Sequence, residues 1–281
     1  MSGAGGVRGA ARRIAAVARY ALIEAARQKL VYGLLLLALL ALASSFALRE
    51  FNFGASELSF IADFGFGGLT LFGAALAIVY AAQAFYALID QRLGAPLLAK
   101  PLSREELLAG HYLASCAVAA AFVAIQSLCL AGALWARERA LMASMPEAFP
   151  PEGLVDYGSL AVYALFQCLR LAVLAAAATL LASVASSSLF AILTGFLFLV
   201  AGQLNDLAAQ AWSLADSPLA RTGLGAAALV VPNLRLFDIG AAVVGGEPVT
   251  LLQAAKLAAY GLLYCGFYLA LAALAFRRRE L

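Results

Sequence analysis

LAVLAAAATLLASVASSSLFAILTGFLFLVAGQL, residues 171–204, is almost uninterrupted apolar sequence in which only Ser186, Ser187 and Ser188 mark a turn. Read as one helix, it gives a chain with five membrane spans; broken at the serines, it gives six. A helix needs about 20 apolar residues to cross a hydrocarbon core about 30 Å thick. With 64% hydrophobic and 12% charged residues, the chain has room for several crossings and does not have the balance of a soluble core. The expected spans are residues 30–48, 67–89, 110–135, 157–184, 189–212 and 250–276.

The cationic residues decide between five and six. With the N-terminus inside, alternate connections place Arg8, Arg12, Arg13, Arg19, Arg27 and Lys29, then Arg92, Lys100 and Arg104, then Arg277, Arg278 and Arg279 on the cytoplasmic side. The other side receives Arg49, Arg137, Arg139, Arg221, Arg235 and Lys256, and Arg170 falls within a span. This bias predicts both termini in the cytoplasm. Five spans would put Arg277–Arg279 outside, against the bias, so a tight hairpin is expected at the serines, whose side chains can satisfy freed backbone groups. The expectation is a single all-α membrane domain over residues 1–281, with a basic leader at 1–29, a cytoplasmic segment at 90–109 and an extracytoplasmic segment at 213–249.

Three stretches outside the spans carry further information. On a helical wheel, Ile14, Val17, Ala18, Ala21, Leu22 and Ala25 share one face, while Arg12, Arg13, Arg19, Glu24 and Arg27 lie opposite, with Ile23 the exception. A cationic amphipathic helix of this kind is expected to lie in the interface of an anionic leaflet. The connection IDQRLGAPLLAKPLSREELLAGHY, residues 89–112, is the most organised polar segment. Pro96 can open a short helix, Pro101 disfavours helical geometry at Lys100, and Ser103 with Glu106 forms a capping-box pattern that starts the next helix in the cytoplasm. Asp90, Arg92, Lys100, Arg104 and Glu105 would then face a soluble partner, with mixed charge giving orientation. In residues 213–249, the pieces 224–231 and 236–244 are apolar but too short to cross, and re-entrant or interfacial helices are expected there.

Within the spans, Gln83, Gln126, Gln167 and Arg170 are polar groups at membrane depth. An unpaired charge there is costly, so Arg170 is expected to face a partner, a second protomer or water, or to pair with Gln167 or Asp206. Ala191, Gly195 and Gly202 form a small-residue stripe that permits close helix approach, within the subunit or across a dimer. Cys116, Cys129, Cys168 and Cys265 lie within spans at wide spacings and suggest neither a disulfide framework nor a zinc site.

Catalytic signatures are missing from the sequence. None of Lys29, Lys100 and Lys256 follows a glycine, so no P-loop is present, and there is no H-E-x-x-H or G-x-S-x-G. His111 is the single histidine. No catalytic residue, cofactor, metal or nucleic-acid partner is expected.

Residues 61–114 resemble the permease subunits of type 2 ABC exporters, in particular the branch labelled multicopper-enzyme-maturation permeases. The resemblance rests on Asp63, Phe64 and Gly65; on Asp90 and Gly94; on Lys100, Pro101, Leu102, Ser103 and Arg104; and on Gly110, His111 and Tyr112, with His111 standing where the family has Lys. It extends more loosely to the basic leader, to Pro232–Asp238 and to the terminal Arg-Arg-Arg-Glu-Leu. The resemblance implies an N-terminal elbow helix, six spans, and a coupling helix after the second span. It also implies a separate ATP-binding subunit that supplies the energy, a dimer formed through first and fifth spans, and a multi-pass location in a bacterial inner membrane. The coupling residues so implied are Asp90, Arg92, Gly94, Lys100, Pro101, Ser103, Arg104 and Glu105. A secondary transporter or channel, and a non-transporting membrane anchor, are the alternative readings.

Overall fold

The computed structural model describes residues 3–48, 57–90, 103–144, 154–205, 207, 210, 225, 229–240, 244 and 250–278. Among these, seven helices form in chain order: α1 Gly3–Ala25, α2 Lys29–Leu48, α3 Glu57–Asp90, α4 Arg104–Ser144, α5 Tyr157–Val184, α6 Ser188–Gln203 and α7 Leu251–Arg278. A single 3-10 turn, Leu234–Phe237, precedes α7.

Five of these helices, α2, α3, α4, α5 and α7, are long and apolar enough to cross a membrane, and the chain is a multi-pass, all-α membrane protein. Its surface agrees with lipid as the surrounding solvent: Leu37, Leu40, Leu128, Leu165, Leu193, Leu197, Leu262 and Leu263 all stand exposed on the helices. The sixth apolar helix, α6, has 16 residues, about 24 Å at 1.5 Å per residue. It is shorter than the expected span 189–212, of which 206, 208, 209, 211 and 212 lie outside the described residues. After Gln203 the chain bends, and Asn205 Nδ2 donates to the Val231 carbonyl at 2.5 Å.

The break at the serines is present. α5 ends at Val184, Ala185 is extended, and the Ser187 hydroxyl caps α6 by accepting from Phe190 N at 3.3 Å. The Ala185 carbonyl takes the Tyr86 hydroxyl at 2.7 Å, so α3 supplies the missing partner at this corner. Ser187→Ala should lower the unfolding free energy by about 1 kcal/mol, read as an earlier midpoint in denaturant titration of the detergent-solubilised protein.

Two helices occupy the middle of the bundle. α3 packs on α2, α4, α5 and α6, and α5 packs on α3, α4, α6 and α7. α5 can be surrounded because it carries the run Ala175–Ala178, all buried, and small side chains let neighbouring backbones come close. α3 and α4 both extend beyond their apolar spans. α3 starts at Glu57 rather than 67, since Leu58, Ile61, Ala62 and Phe66 are buried in the main core and Glu57 accepts from Arg137 Nε at 2.6 Å. α4 has 41 residues, about 61 Å, so its ends project past a core about 30 Å thick.

The small-residue stripe of α6 is engaged within the chain. Ala191 is fully buried, Gly195 faces Ile78 of α3, and Gly202 faces Leu234 of the 3-10 turn. Of the two expected uses of the stripe, these contacts are the one within the subunit. Of the expected helix at 236–244, residues 236–237 close the 3-10 turn, 238 and 239 are irregular, Gly240 is again in 3-10 conformation, and Val244 forms an isolated antiparallel bridge with Val155, while 241–243 lie outside the described residues. Side chains three apart eclipse on a 3-10 turn, and Leu234 and Phe237, both fully buried, use that spacing to anchor the segment. Within 224–231, residues 225, 229 and 230 are helical and 231 bends, while 224 and 226–228 lie outside the described residues.

Candidate functional site

The start of α4 folds around its own cap. Glu106 N donates to the Ser103 hydroxyl at 3.2 Å, and Ser103 N donates back to Glu106 Oε2 at 3.2 Å, the reciprocal pair expected of the capping box. The same carboxylate then accepts from Arg13 of α1, from Nε at 3.0 Å and Nη2 at 2.5 Å. One glutamate therefore both caps α4 and ties the leader to it in a two-pronged guanidinium contact.

One turn along α4, Gly110 brings the two helices into contact. A Cβ at this position would lie 2.5 Å from Val17 Cγ1 and 3.1 Å from the Ile14 carbonyl oxygen. The Tyr80 hydroxyl of α3 adds a third point by donating to the Ala21 carbonyl at 3.0 Å. The apolar face of the leader is thus covered by protein: Val17, Ala21 and Ala25 are buried, with Arg12, Arg19 and Arg27 exposed. The expectation that this face rests in the lipid interface is corrected, because α4 and α3 offer a closer-fitting apolar surface. Tyr20 and Ile23, each 50% exposed, remain outward.

The hydrogen bond from Arg13 holds the Glu106 carboxyl below the usual carboxylate range. Glu106 precedes the apolar stretch that begins at residue 110. A carboxylate with a depressed folded pKa stabilises the fold above its unfolded pKa, about 4.3, and loses that contribution as pH falls through the folded value. Protection of the Gly9–Ala25 amides, corrected for intrinsic exchange, should hold at neutral pH and fall below about pH 4. Glu106→Gln should flatten that profile.

The C-terminal end of α7 joins the same cluster. Arg104 Nη1 donates to the Phe276 carbonyl at 3.2 Å and its guanidinium lies 5.9 Å from the Phe276 ring. Arg277 pairs with Glu105 at the surface, an exposed contact of a type that contributes between zero and about 1 kcal/mol. Phe276 is buried and stacks edge-on against Phe85 of α3 at 5.3 Å. The end of α7, the start of α4 and the leader therefore form one charged node beside the connection 91–102.

This placement sorts the expected coupling residues. Ser103 serves as the helix cap; Arg104 bonds the last turn of α7, and Glu105, itself exposed, pairs with Arg277 there. Asp90 is the last residue of α3. Arg92, Gly94, Lys100 and Pro101 lie outside the described residues, as does the Pro-bracketed short helix.

The polar groups at membrane depth fall into three situations. Gln83 is exposed on α3. Gln126 is fully buried, and its Nε2 donates to the Ala38 carbonyl at 3.2 Å, cross-linking α4 to α2. Arg170, 1% exposed, sits between the two central helices, with Nη1 3.3 Å from Thr70 Oγ1 and 3.5 Å from Gln167 Oε1. Its Nε and Nη2 have no hydrogen-bond partner among the described residues. Gln167 is the expected neighbour, one helical turn back; Asp206 lies outside the described residues.

Sequence reading missed two other groups. Glu138, 5% exposed, collects Leu154 N at 2.6 Å, Val155 N at 3.0 Å and the Tyr157 hydroxyl at 2.9 Å, and so shapes the entry to α5. Nothing in its charged context, Arg137-Glu138-Arg139, signalled burial. Tyr163 is fully buried with its ring 4.3 Å from Phe66, and it looked like one more aromatic of an apolar span. No group of histidine, cysteine or acidic side chains among the described residues is arranged to hold a metal ion. No family model matches the chain, and no curated protein matches it.

Proposed function

We propose that this chain is the membrane-embedded permease subunit of an ATP-driven exporter, with six crossings and both ends on the side of the charged node. It works with a separate ATP-binding subunit and a second permease copy or paralogue, in a bacterial inner membrane. The observation that carries this reading is the node itself. Leader, α4 and α7 are bonded together beside the connection 91–102, and the other end of that connection is α3, one of the two central helices.

A push delivered to this connection reaches α4 at its capped first turn. Arg13 on Glu106 passes it to the leader, Arg104 and Glu105 pass it to α7, and α3 takes it into the middle of the bundle. Tilting of α3 and α4 would then alternate access to a pathway between permease halves. Hydrolysis of ATP supplies the work and takes place on the partner, since this sequence has no P-loop.

Disrupting residues 100–105 should uncouple ATP hydrolysis from transport while membrane insertion survives; unchanged coupling would count against the proposal. Arg170 favours a second reading, an ATP-independent transporter, because intramembrane charges mark substrate and ion paths. Transport that persists without an ATPase would select it.

A further inference from the structure

At the end of the bundle away from the charged node, a cavity of about 410 Å³ is lined by Asp63, Phe66, Gly67, Thr70, Asp238 and Gly240. Four of these lie at i, i+3, i+4 and i+7 on α3 and so form one helical stripe, about 10 Å long. Along it Asp63 and Gly67 are exposed, Thr70 is half-buried, and Phe66 is buried. Asp238, also exposed, faces the stripe from just beyond the 3-10 turn. The mouth of the cavity is thus acidic on both sides.

The inner end is different in sign. Thr70 belongs to the cavity wall and accepts from Arg170 Nη1 at 3.3 Å, so the guanidinium lies just behind that wall, one side chain from the cavity. Arg170 is 1% exposed, and its Nε and Nη2 are without partners among the described residues. Buried guanidinium nitrogens left unpaired are costly. A lone cation would be drawn to the mouth and opposed by Arg170; a lone anion would be attracted by Arg170 and opposed at the mouth.

We propose that this cavity binds a compact zwitterion, with an ammonium group between Asp63 and Asp238 and a phosphate or carboxylate at Thr70, whose hydroxyl can donate to it while the Arg170 charge stands behind. Two sources carry that chemistry, a zwitterionic lipid headgroup and a free zwitterion. The assignment goes beyond the exporter reading and needs no ATPase, so its failure leaves that reading standing.

The test uses the full chain in nanodiscs made only of phosphatidylglycerol, titrated calorimetrically with glycerophosphoethanolamine and, separately, with glycerophosphoglycerol, which lacks the ammonium. Saturable binding of the first is expected, with the second weaker by about tenfold or more, and Asp238→Asn should cause a similar loss. Arg170→Gln should abolish binding. Asp238 lies in an exposed segment, so its variant and the headgroup comparison decide the matter even where the Arg170 variant does not fold. Native mass spectrometry from nanodiscs containing phosphatidylethanolamine separates the sources: retention of that lipid, lost in Asp238→Asn, assigns the headgroup, and binding of the soluble compound alone assigns a free zwitterion. Absence of binding by both probes, equal binding of the two glycerophosphodiesters, or an Asp238→Asn protein with wild-type affinity would overturn the proposal.

Discussion

Gly110→Leu should release the leader helix from the bundle. The first side-chain atom alone would stand 2.5 Å from Val17 Cγ1 and 3.1 Å from the Ile14 carbonyl oxygen. Val17 could rotate, but the carbonyl belongs to the α1 backbone, so the helix as a whole has to move. Moving it separates Arg13 from Glu106 and the Tyr80 hydroxyl from Ala21, and it exposes Val17, Ala21 and Ala25. Overpacking costs about 1–3 kcal/mol and occasionally more, and the lost contacts take this case to the upper end. Trypsin should then cut at Arg12, Arg13 or Arg19 in a protein whose α3–α5 core keeps its protection. A wild-type digestion pattern would show that the close approach at Gly110 does not hold α1.

Phe237→Ala should destabilise the whole outer half of the bundle. The ring is fully buried, packs 6.2 Å from Tyr260, and shares a cluster with Phe166, Val173, Cys265 and Tyr268 of α5 and α7. Phe→Ala changes in cores cost about 3–5 kcal/mol, and no other side chain of the turn can move into the vacated space, since Leu234 is already seated against Gly202. The measurement is the unfolding midpoint in detergent. Because Asp238 follows directly, the same variant should also weaken zwitterion binding, whereas Leu236→Ala, on the exposed side of the turn, should do neither.

The elements legible in the sequence are those set by lipid. Uninterrupted apolar runs located α2, α5 and α7 to within a few residues, since burial in hydrocarbon leaves a composition signal that needs no knowledge of neighbours. Ser103 and Glu106 announced their capping box because the pattern is local. What α4 does with Glu106 afterwards was not legible: the acceptor is shared with Arg13, 93 residues away in the chain, and a long-range pair has no spacing rule. The same holds for Arg104 and Glu105, whose contacts with the end of α7 lie 172 residues away in the chain. The 3-10 turn Leu234–Phe237 was not legible, because Leu234, Phe237 and Ile239 are apolar at spacings compatible with either kind of helix. Only the depth of the core beneath them selects the tighter turn. Asp63 and Asp238 stood in separate stretches of sequence, and the fold alone brings them to one cavity.

The reading of residues 91–102 as the place where an ATP-binding subunit docks is open to one direct measurement. A photo-cross-linking residue, p-benzoylphenylalanine, replaces Leu97 within the connection or, as a control, Leu263 on the exposed face of α7. After irradiation in native membranes, the adduct from position 97 should contain a separate soluble subunit that binds and hydrolyses ATP, and the adduct from position 263 should not. Adducts from position 97 that hold only lipid or a second copy of this chain, or an ATP-hydrolysing subunit captured equally from both positions, would contradict it.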